Sequence, residues 1–234
     1  MKILVACEES QAVTKELRRL GHEAYSCDVQ ECSGGHPEWH IMDDVLSLIN
    51  GHNVNHAPFP LLKTSDGRYH DLPRRWDMII AFPPCTFISN AGNRWLYEGG
   101  QLNRERYEKG LAAKEFFMKI LTADCPKIAV ENPMHAGIFD MPPYSQEIQP
   151  FMFGHPYTKK TRLWLKNLPI LMATDIVPWE RTWCPSSRSD NTGAAKHNGK
   201  ARSKTFPGVA KAMAEQWAGP AGPEKRYQHE QHEH

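Results

Sequence analysis

The stretch Trp76-Asp77-Met78-Ile79-Ile80-Ala81-Phe82-Pro83-Pro84-Cys85-Thr86 decides the fold. Its first seven residues are nearly continuous apolar sequence of strand length, the pattern of a strand covered on both faces. Strands of that kind belong to parallel sheets flanked by helices. The run ends abruptly in two prolines and a cysteine. Proline fixes φ and restrains the residue before it, so Cys85 stands in a stiff, non-helical turn at the carboxyl end of the strand. That geometry suits a presented nucleophile, whereas the plainer reading of any single cysteine is a small buried residue.

The same pattern of a strand ending in a polar group recurs to either side. Lys2 to Ala6 reads as a buried strand, followed by a helix over 11–20 with Val13, Leu17 and Leu20 on one face and Ser10 as its N-cap. Glu23 to Cys27 is a second strand, with Asp28 at its end, and residues 41–48 form a third short element carrying Asp43 and Asp44. Residues 53–75 turn polar around Ser65-Asp66-Gly67-Arg68, which predicts a hairpin insertion. Tyr107 to Leu121 is helical in period, and Lys127 to Val130 is a strand that runs into Glu131-Asn132-Pro133. A strand over 161–165 and a short helix over 208–217 complete the pattern. Alternating strands and helices predict a Rossmann-like α/β sheet, mostly parallel, with helices on both faces. Ligands of such sheets bind beyond the carboxyl ends of the strands, so Asp28, Asp44, Cys85 and Glu131 are expected around one crevice.

With 234 residues the chain fits one catalytic domain over 1–219, with 220–234 as a polar, disordered tail. The formal charge of +1, from 28 basic and 27 acidic residues, excludes a uniformly cationic nucleic-acid binder. The cations concentrate instead in a loop over 179–205. From residue 181 on, Arg181, Arg188, Lys196, Lys200, Arg202 and Lys204 stand against one acid, Asp190, with Trp179 and Trp183 close by. Cations with aromatics suit phosphate contact and base stacking, and a solvated loop is the plainer alternative. The apolar N-terminal run is too short for a signal peptide or a span, so a cytoplasmic protein is expected. Its six cysteines are then expected to be reduced. Cys27, Cys32, His36 and His40 have a superficial zinc spacing, but little chain lies between them to fold around a metal, and no metal is expected.

Pro83-Pro84-Cys85, with Ser89 and Gly92 following, resembles the nucleophile motif of the DNA cytosine-5 methyltransferases, and Val130-Glu131-Asn132 resembles their Glu-Asn motif. Thr158-Lys159-Lys160-Thr161-Arg162 is similar to the family's later basic motif. Thr205-Phe206-Pro207-Gly208-Val209-Ala210 is similar to the terminal segment that folds back toward the cofactor. The resemblance is to a compact phage and prophage subgroup without a full target-recognition domain, and it covers roughly residues 1–219. It implies the methyltransferase form of the α/β fold, with a reversed edge strand, and S-adenosyl-L-methionine as cofactor. The implied partner is DNA, offered as a flipped or single-stranded cytosine with little sequence preference. A monomer or weak dimer, and protection of phage DNA from restriction, follow from the same likeness.

By that resemblance Cys85 adds to carbon 6 of cytosine and Glu131 serves ring nitrogen 3, while Asn132 and Arg162 hold the loop, the base or its phosphate. Asp28 matches the position that takes the ribose hydroxyls and Asp44 the one that reads the adenine amino group. Pro83 and the first loop, Cys7, Glu8, Glu9 and Ser10, complete the cofactor site. That loop lacks the family's glycines, and for Glu8, Glu9 and Ser10 simple helix capping is the competing reading. Ser89, Lys159 and Lys160 join the basic loop as DNA contacts. Two other readings stay open: methylation of free deoxycytidine nucleotides, and a silent nucleic-acid-binding protein on the same scaffold. Exocyclic amino methylation needs no thiol and fits Cys85 less well.

Overall fold

The computed structural model describes residues 1–50, 61–182, 186–187, 196–197 and 203–222; for residues 61–62, 181–182, 186–187 and 196–197 it describes the backbone alone. In chain order the elements are β1 (Lys2–Ala6), α1 (Ala12–Arg19), β2 (Glu23–Asp28), β3 (His40–Met42), β4 (Leu61–Lys63), β5 (Tyr69–Asp71), β6 (Met78–Ala81), β7 (Tyr97–Glu98), β8 (Gln101–Leu102), α2 (Arg104–Leu121), β9 (Ile128–Pro133), β10 (Gln146–Ile148), β11 (Tyr157–Thr158), β12 (Thr161–Lys166), β13 (Arg181–Thr182), β14 (Ser186–Ser187), β15 (Lys196–His197) and α3 (Pro207–Met213).

Seven strands form the central sheet in the order β10-β12-β9-β6-β1-β2-β3. Pairing is parallel from β9 through β6, β1 and β2 to β3, as their apolar runs require. β12 is antiparallel to both of its neighbours, β9 and β10. This is the Rossmann-like sheet that the alternating pattern predicts, with one correction. The reversed strand is not at the edge: β10 precedes it in sequence and takes the outer position, and β12 returns between β10 and β9. β10 escapes sequence reading because it is three residues long and fully buries only Ile148.

Side-chain alternation divides the core between the two faces of the sheet. Leu4, Ile79, Ile128, Val130 and Trp164 pack with Phe117 and Ile120 of α2 on one face. Ile3, Val5, Ile80, Ala129 and Leu163 pack with Val13 and Leu17 of α1 and with Val209 and Met213 of α3 on the other. Each fully buried aliphatic or aromatic side chain contributes roughly 1.5–3 kcal/mol by leaving water. α2 begins at Arg104, before the periodic stretch, because the Asn103 side chain accepts the Arg106 N–H at 3.0 Å and caps the helix there. The expected helix over 208–217 is α3 followed by a π turn, Ala214–Ala218.

The expected insertion is the β4–β5 hairpin, closed by a turn with Gly67 at φ 82. The basic loop contains β13, paired with β11, and the β14–β15 hairpin. Part of the expected tail docks, since the Ala221 N–H donates to the Leu20 carbonyl at 2.9 Å; residues 223–234 lie outside the described residues. No described helix is long and apolar enough to cross a membrane.

Candidate active site

β6 delivers Pro83, Pro84 and Cys85 to the carboxyl edge of the sheet. Pro83 is buried and its carbonyl accepts a 3.1 Å hydrogen bond from Asn132 Nδ2 at the end of β9. The Cys85 carbonyl accepts the Ile88 and Ser89 N–H groups at 3.2 and 2.8 Å, which folds the chain back over itself. Asn90 N–H then donates to the Met134 carbonyl at 2.8 Å and Ala136 N–H to the Ile88 carbonyl at 2.9 Å. Ser89 pairs with His135 between them. The turn after β6 and the turn after β9 are therefore one hydrogen-bonded unit. Cys85 is half-buried within it as a reduced thiol. Gly92 sits where a Cβ would lie 2.9 Å from the Thr86 carbonyl oxygen, so the glycine of the motif has a packing reason.

Register decides which way the β9 tip residues face. Glu131 is opposite Leu163 and Asn132 is opposite Arg162. Glu131 shares the α3 face with Ala129 and Leu163, while Asn132 and Arg162 share the α2 face with Val130 and Trp164. On the α3 face lies a cavity walled by Phe82, Glu131, Lys159, Thr161, Phe206 and Met213 among others. Burial pushes the Glu131 carboxyl above the ordinary carboxylate range, against the opposing pull of the Lys159 charge and a Thr161 hydrogen bond. A carboxyl group in that state is suited to donate a proton.

On the other face the Arg162 guanidinium lies 4.4 Å from the centre of the Tyr144 ring, and its Nε is 3.8 Å from Glu147. His135 stands beside Trp164, its ring pKa lowered by burial and by the Arg162 charge. Among the described residues, Asn132 Oδ1, His135 Nδ1 and Arg162 Nε are buried there without hydrogen-bond partners.

A second group forms at the tips of β1, β2 and β3. Burial, then the charges of Asp28 and Asp44, push the Cys7 thiol far up, so these three residues are electrostatic neighbours. Asp28 accepts the Gln30 N–H at 2.9 Å and Asp44 accepts the Leu46 N–H at 3.0 Å. Cys7 and Gln11 hold left-handed backbone, φ 57 and 56, on residues that carry a Cβ. The loop thus adopts glycine-like conformations without glycine.

Ser10 does not cap α1. The cap position is Gln11, which bonds the 36 loop instead: His36 N–H donates to its Oε1 at 3.0 Å and its Nε2 donates to the His36 carbonyl at 2.8 Å. The capping work falls to Glu8, whose carboxylate accepts the Val13 N–H at 2.7 Å and the Thr14 hydroxyl at 2.7 Å. For Glu8 the helix-capping reading holds. Burial pushes its pKa up to about 7, despite the hydrogen bonds from Val13 and Thr14. Glu9 is also buried, and its carbonyl accepts the Ser33 N–H at 2.8 Å.

The expected DNA contacts scatter. Lys159 lines the cavity, Lys160 is exposed 3.7 Å from Glu147, and Lys204 donates to the Ser33 hydroxyl at 3.2 Å. Arg181 and Lys196 lie on β13 and β15, and Arg188, Lys200 and Arg202 fall outside the described residues. Cys27 and His40 belong to the core, His40 bonding Ser26 Oγ at 2.8 Å and the Gln30 carbonyl at 2.8 Å. No described cluster of three or more His, Cys, Asp or Glu residues is arranged to hold a metal. Sequence reading passed over Thr161, Phe82 and Phe206 as wall residues and His135 as a neighbour of the cysteine turn. Counting register from Glu131 would have found Thr161.

No protein-family profile and no curated protein matches this chain. Among solved structures it is similar to a provisionally assigned DNA modification methyltransferase encoded within a prophage of E. coli. The two are 16% identical, with a TM-score of 0.42 over 75% of this chain and 51% of the other. The chain thus spans about half the length of that protein.

Proposed function

We propose that this chain transfers a methyl group to carbon 5 of cytosine in DNA, with Cys85 as nucleophile. The observation that carries the reading is the Asn132–Pro83 hydrogen bond. It joins a cysteine-bearing turn to the strand that ends in a carboxyl group whose proton is favoured by burial. Carbon 5 lies in an aromatic ring and is a poor nucleophile. Addition of the Cys85 thiolate at carbon 6 forms the S–C6 bond and moves the ring's π electrons toward carbon 5 and nitrogen 3. Glu131 supplies a hydrogen bond or its proton to nitrogen 3, which quenches the charge that builds there. Once carbon 5 has taken the methyl group, its proton passes to water and the C5–C6 double bond re-forms as the S–C6 bond breaks. The thiolate leaves with its pair, and nitrogen 3 returns its proton to Glu131.

The residues at the other tips fit S-adenosyl-L-methionine. Asp28 and Asp44 are carboxylate acceptors suited to hydroxyl and amino hydrogens, and the left-handed residues Cys7 and Gln11 keep the first turn tight where it meets them. Bound there, it supplies the electrophilic methyl group that carbon 5 accepts. Pro83 and Glu9 flank the same edge. We assign the side chains of Arg162 and His135, on the α2 face, to the sugar or phosphate around the target base. Trp179 and the cations of the 179–205 interval are assigned to the DNA backbone, which gives little sequence preference.

Nucleoside mass spectrometry after incubation with S-adenosyl-L-methionine tests the reading, using DNA, free deoxycytidine nucleotides and the Cys85→Ala variant. We expect 5-methylcytosine in DNA alone, and only with Cys85 present. Methyl groups on free nucleotide would replace DNA as the substrate. No methyl group on either would leave a silent binder.

A further inference from the structure

We infer that His155 is a positioning residue: as a neutral imidazole it latches α3 to the opposite wall of the cavity, and its protonation opens the latch and weakens the hold on DNA, this last effect resting on the cytosine reading above. Two distant parts of the chain wall the cavity. Gln149, Pro150 and Lys159 come from the segment around β11, while Phe206 and Val209 come from the start of α3. His155 belongs to the first part and reaches the second, its Nε2 accepting the Gly208 N–H at 3.0 Å.

Helix geometry explains why Gly208 needs an acceptor from outside. The first turn of a helix leaves its N–H groups without intrahelical partners. α3 starts at Pro207, which has no N–H, and its cap residue Phe206 carries no side-chain acceptor, so the Gly208 N–H is the first one left over. His155 fills the capping role from 53 residues away. Its own position is fixed. Its N–H donates to the Pro150 carbonyl at 3.2 Å, its carbonyl accepts the Tyr157 N–H at 2.6 Å, and its ring centre lies 5.0 Å from that of Phe206. The approach is close as well, since a Cβ on Gly208 would lie 3.1 Å from His155 Nε2.

An amide N–H only donates, so Nε2 is unprotonated in the latched state and the neutral ring carries its proton on Nδ1. Imidazolium has a proton on both nitrogens, and two donors would then face each other across the latch. Asp175 is the charged group that acts on the ring among the described residues, and it is held nearby because its carbonyl accepts the Gly154 N–H at 2.7 Å. Burial lowers the His155 pKa against the pull of Asp175. The folded protein therefore favours the neutral ring. The latch contributes its stability in full above the ordinary histidine value and loses it as pH falls through the lowered one.

The test combines two measurements on the full chain. In the first, NMR of protein with isotope-labelled glycine and histidine follows the His155 ring and the Gly208 amide from about pH 8 to about pH 5. We expect an Nδ1–H ring at the alkaline end and a Gly208 signal that shifts with the same midpoint as the ring. In the second, KM for DNA is compared over the same range in wild type, His155→Leu and His155→Gln. His155→Leu is expected to raise KM about 3–10-fold throughout, the size of one hydrogen bond. His155→Gln keeps an acceptor that does not titrate, so it should match wild type at neutral pH and lack part of the rise in KM that wild type shows in acid. A merely structural histidine would not produce that split. A Gly208 signal that ignores the ring, His155→Leu with wild-type KM, or equal acid sensitivity in wild type and His155→Gln would overturn the latch. If His155→Leu fails to fold, the Gly208 titration and the glutamine variant still decide. Wild type that methylates no cytosine sinks the cytosine reading, a separate result, and the Gly208 titration then judges the latch alone.

Discussion

Asn132 Nδ2 holds the Pro83 carbonyl at 3.1 Å, and Asn132 is fully buried. It adds a side-chain tie to the backbone hydrogen bonds that already join the turns carrying Cys85 and Glu131. Deleting it leaves a buried carbonyl unsatisfied, a cost of about 1–3 kcal/mol. Asn132→Ala should lose that much stability in urea denaturation and should lower kcat, with affinity for S-adenosyl-L-methionine unchanged. Unchanged stability would mean that the turns are held elsewhere.

Glu8 gives the fold a pH dependence of known sign. Its folded-state pKa is raised to about 7 by burial, so the folded state holds a proton that the unfolded chain releases nearer pH 4.5. The stability this provides is complete at low pH, falls as pH rises through that window, and is gone above about 7. At about 1.4 kcal/mol per unit, the loss is about 3 kcal/mol. Glu8→Gln keeps an acceptor for the helix N-terminus and should flatten this part of the curve. Equal pH dependence in variant and wild type, by chemical denaturation from pH 4 to 8, would refute the assignment.

The buried strands were legible because parallel strands covered on both faces must be continuously apolar, as Ile3–Ala6 and Met78–Ala81 are. The Cys85 and Glu131 turns were legible as motifs. The direction of a side chain was not. Lys159 reads as one of a cationic pair and therefore as a phosphate contact, and only its register after β11 and before β12 turns it into the cavity. Ser10 reads as an N-cap by type, but Gln11 is left-handed, which hands the helix terminus to Glu8 from six residues upstream of Thr14. β10 was invisible because an edge strand of three residues carries almost no pattern.

The first loop predicts a stabilising substitution. A residue with a Cβ in the left-handed region pays roughly 1–2 kcal/mol that glycine does not. Cys7 is held at φ 57. Cys7→Gly should therefore be more stable than Cys7→Ala, by about 1 kcal/mol once the extra freedom of glycine in the unfolded chain is offset. The comparison between the two variants removes the lost thiol from both sides. Cys7→Ala equal to or more stable than Cys7→Gly would mean that the loop relaxes out of this conformation.

Gly208 ties α3 to the segment that carries Phe153 and His155. A Cβ there would lie 1.9 Å from the Phe153 carbonyl oxygen, so backbone must move to admit it. Gly208 N–H also donates to His155 Nε2 at 3.0 Å. Gly208→Ala should cost about 1–3 kcal/mol by overpacking. Because Phe206 and Val209 both wall the cavity, the same shift should raise KM for DNA. Thermal melting and steady-state kinetics would check both effects, and wild-type values for both would contradict the close approach.

Glu131 should act in opposite directions on stability and on rate. Burial raises its pKa, so the folded protein favours the neutral carboxyl, and ionisation at higher pH carries a desolvation cost that Lys159 and Thr161 only partly offset. Its contribution to stability is therefore present at low pH and lost as pH rises through the raised value. Glu131→Gln has no charge to desolvate and should be more stable than wild type on the alkaline side of that transition. The same substitution removes the transferable proton, so kcat should fall about 10²–10⁴-fold. The alkaline limb that Glu131 ionisation gives the wild-type pH–rate profile should vanish with it. A variant that is both slower and less stable at alkaline pH would show that the carboxylate is held ionised by its neighbours, and that Glu131 does not serve as the proton donor.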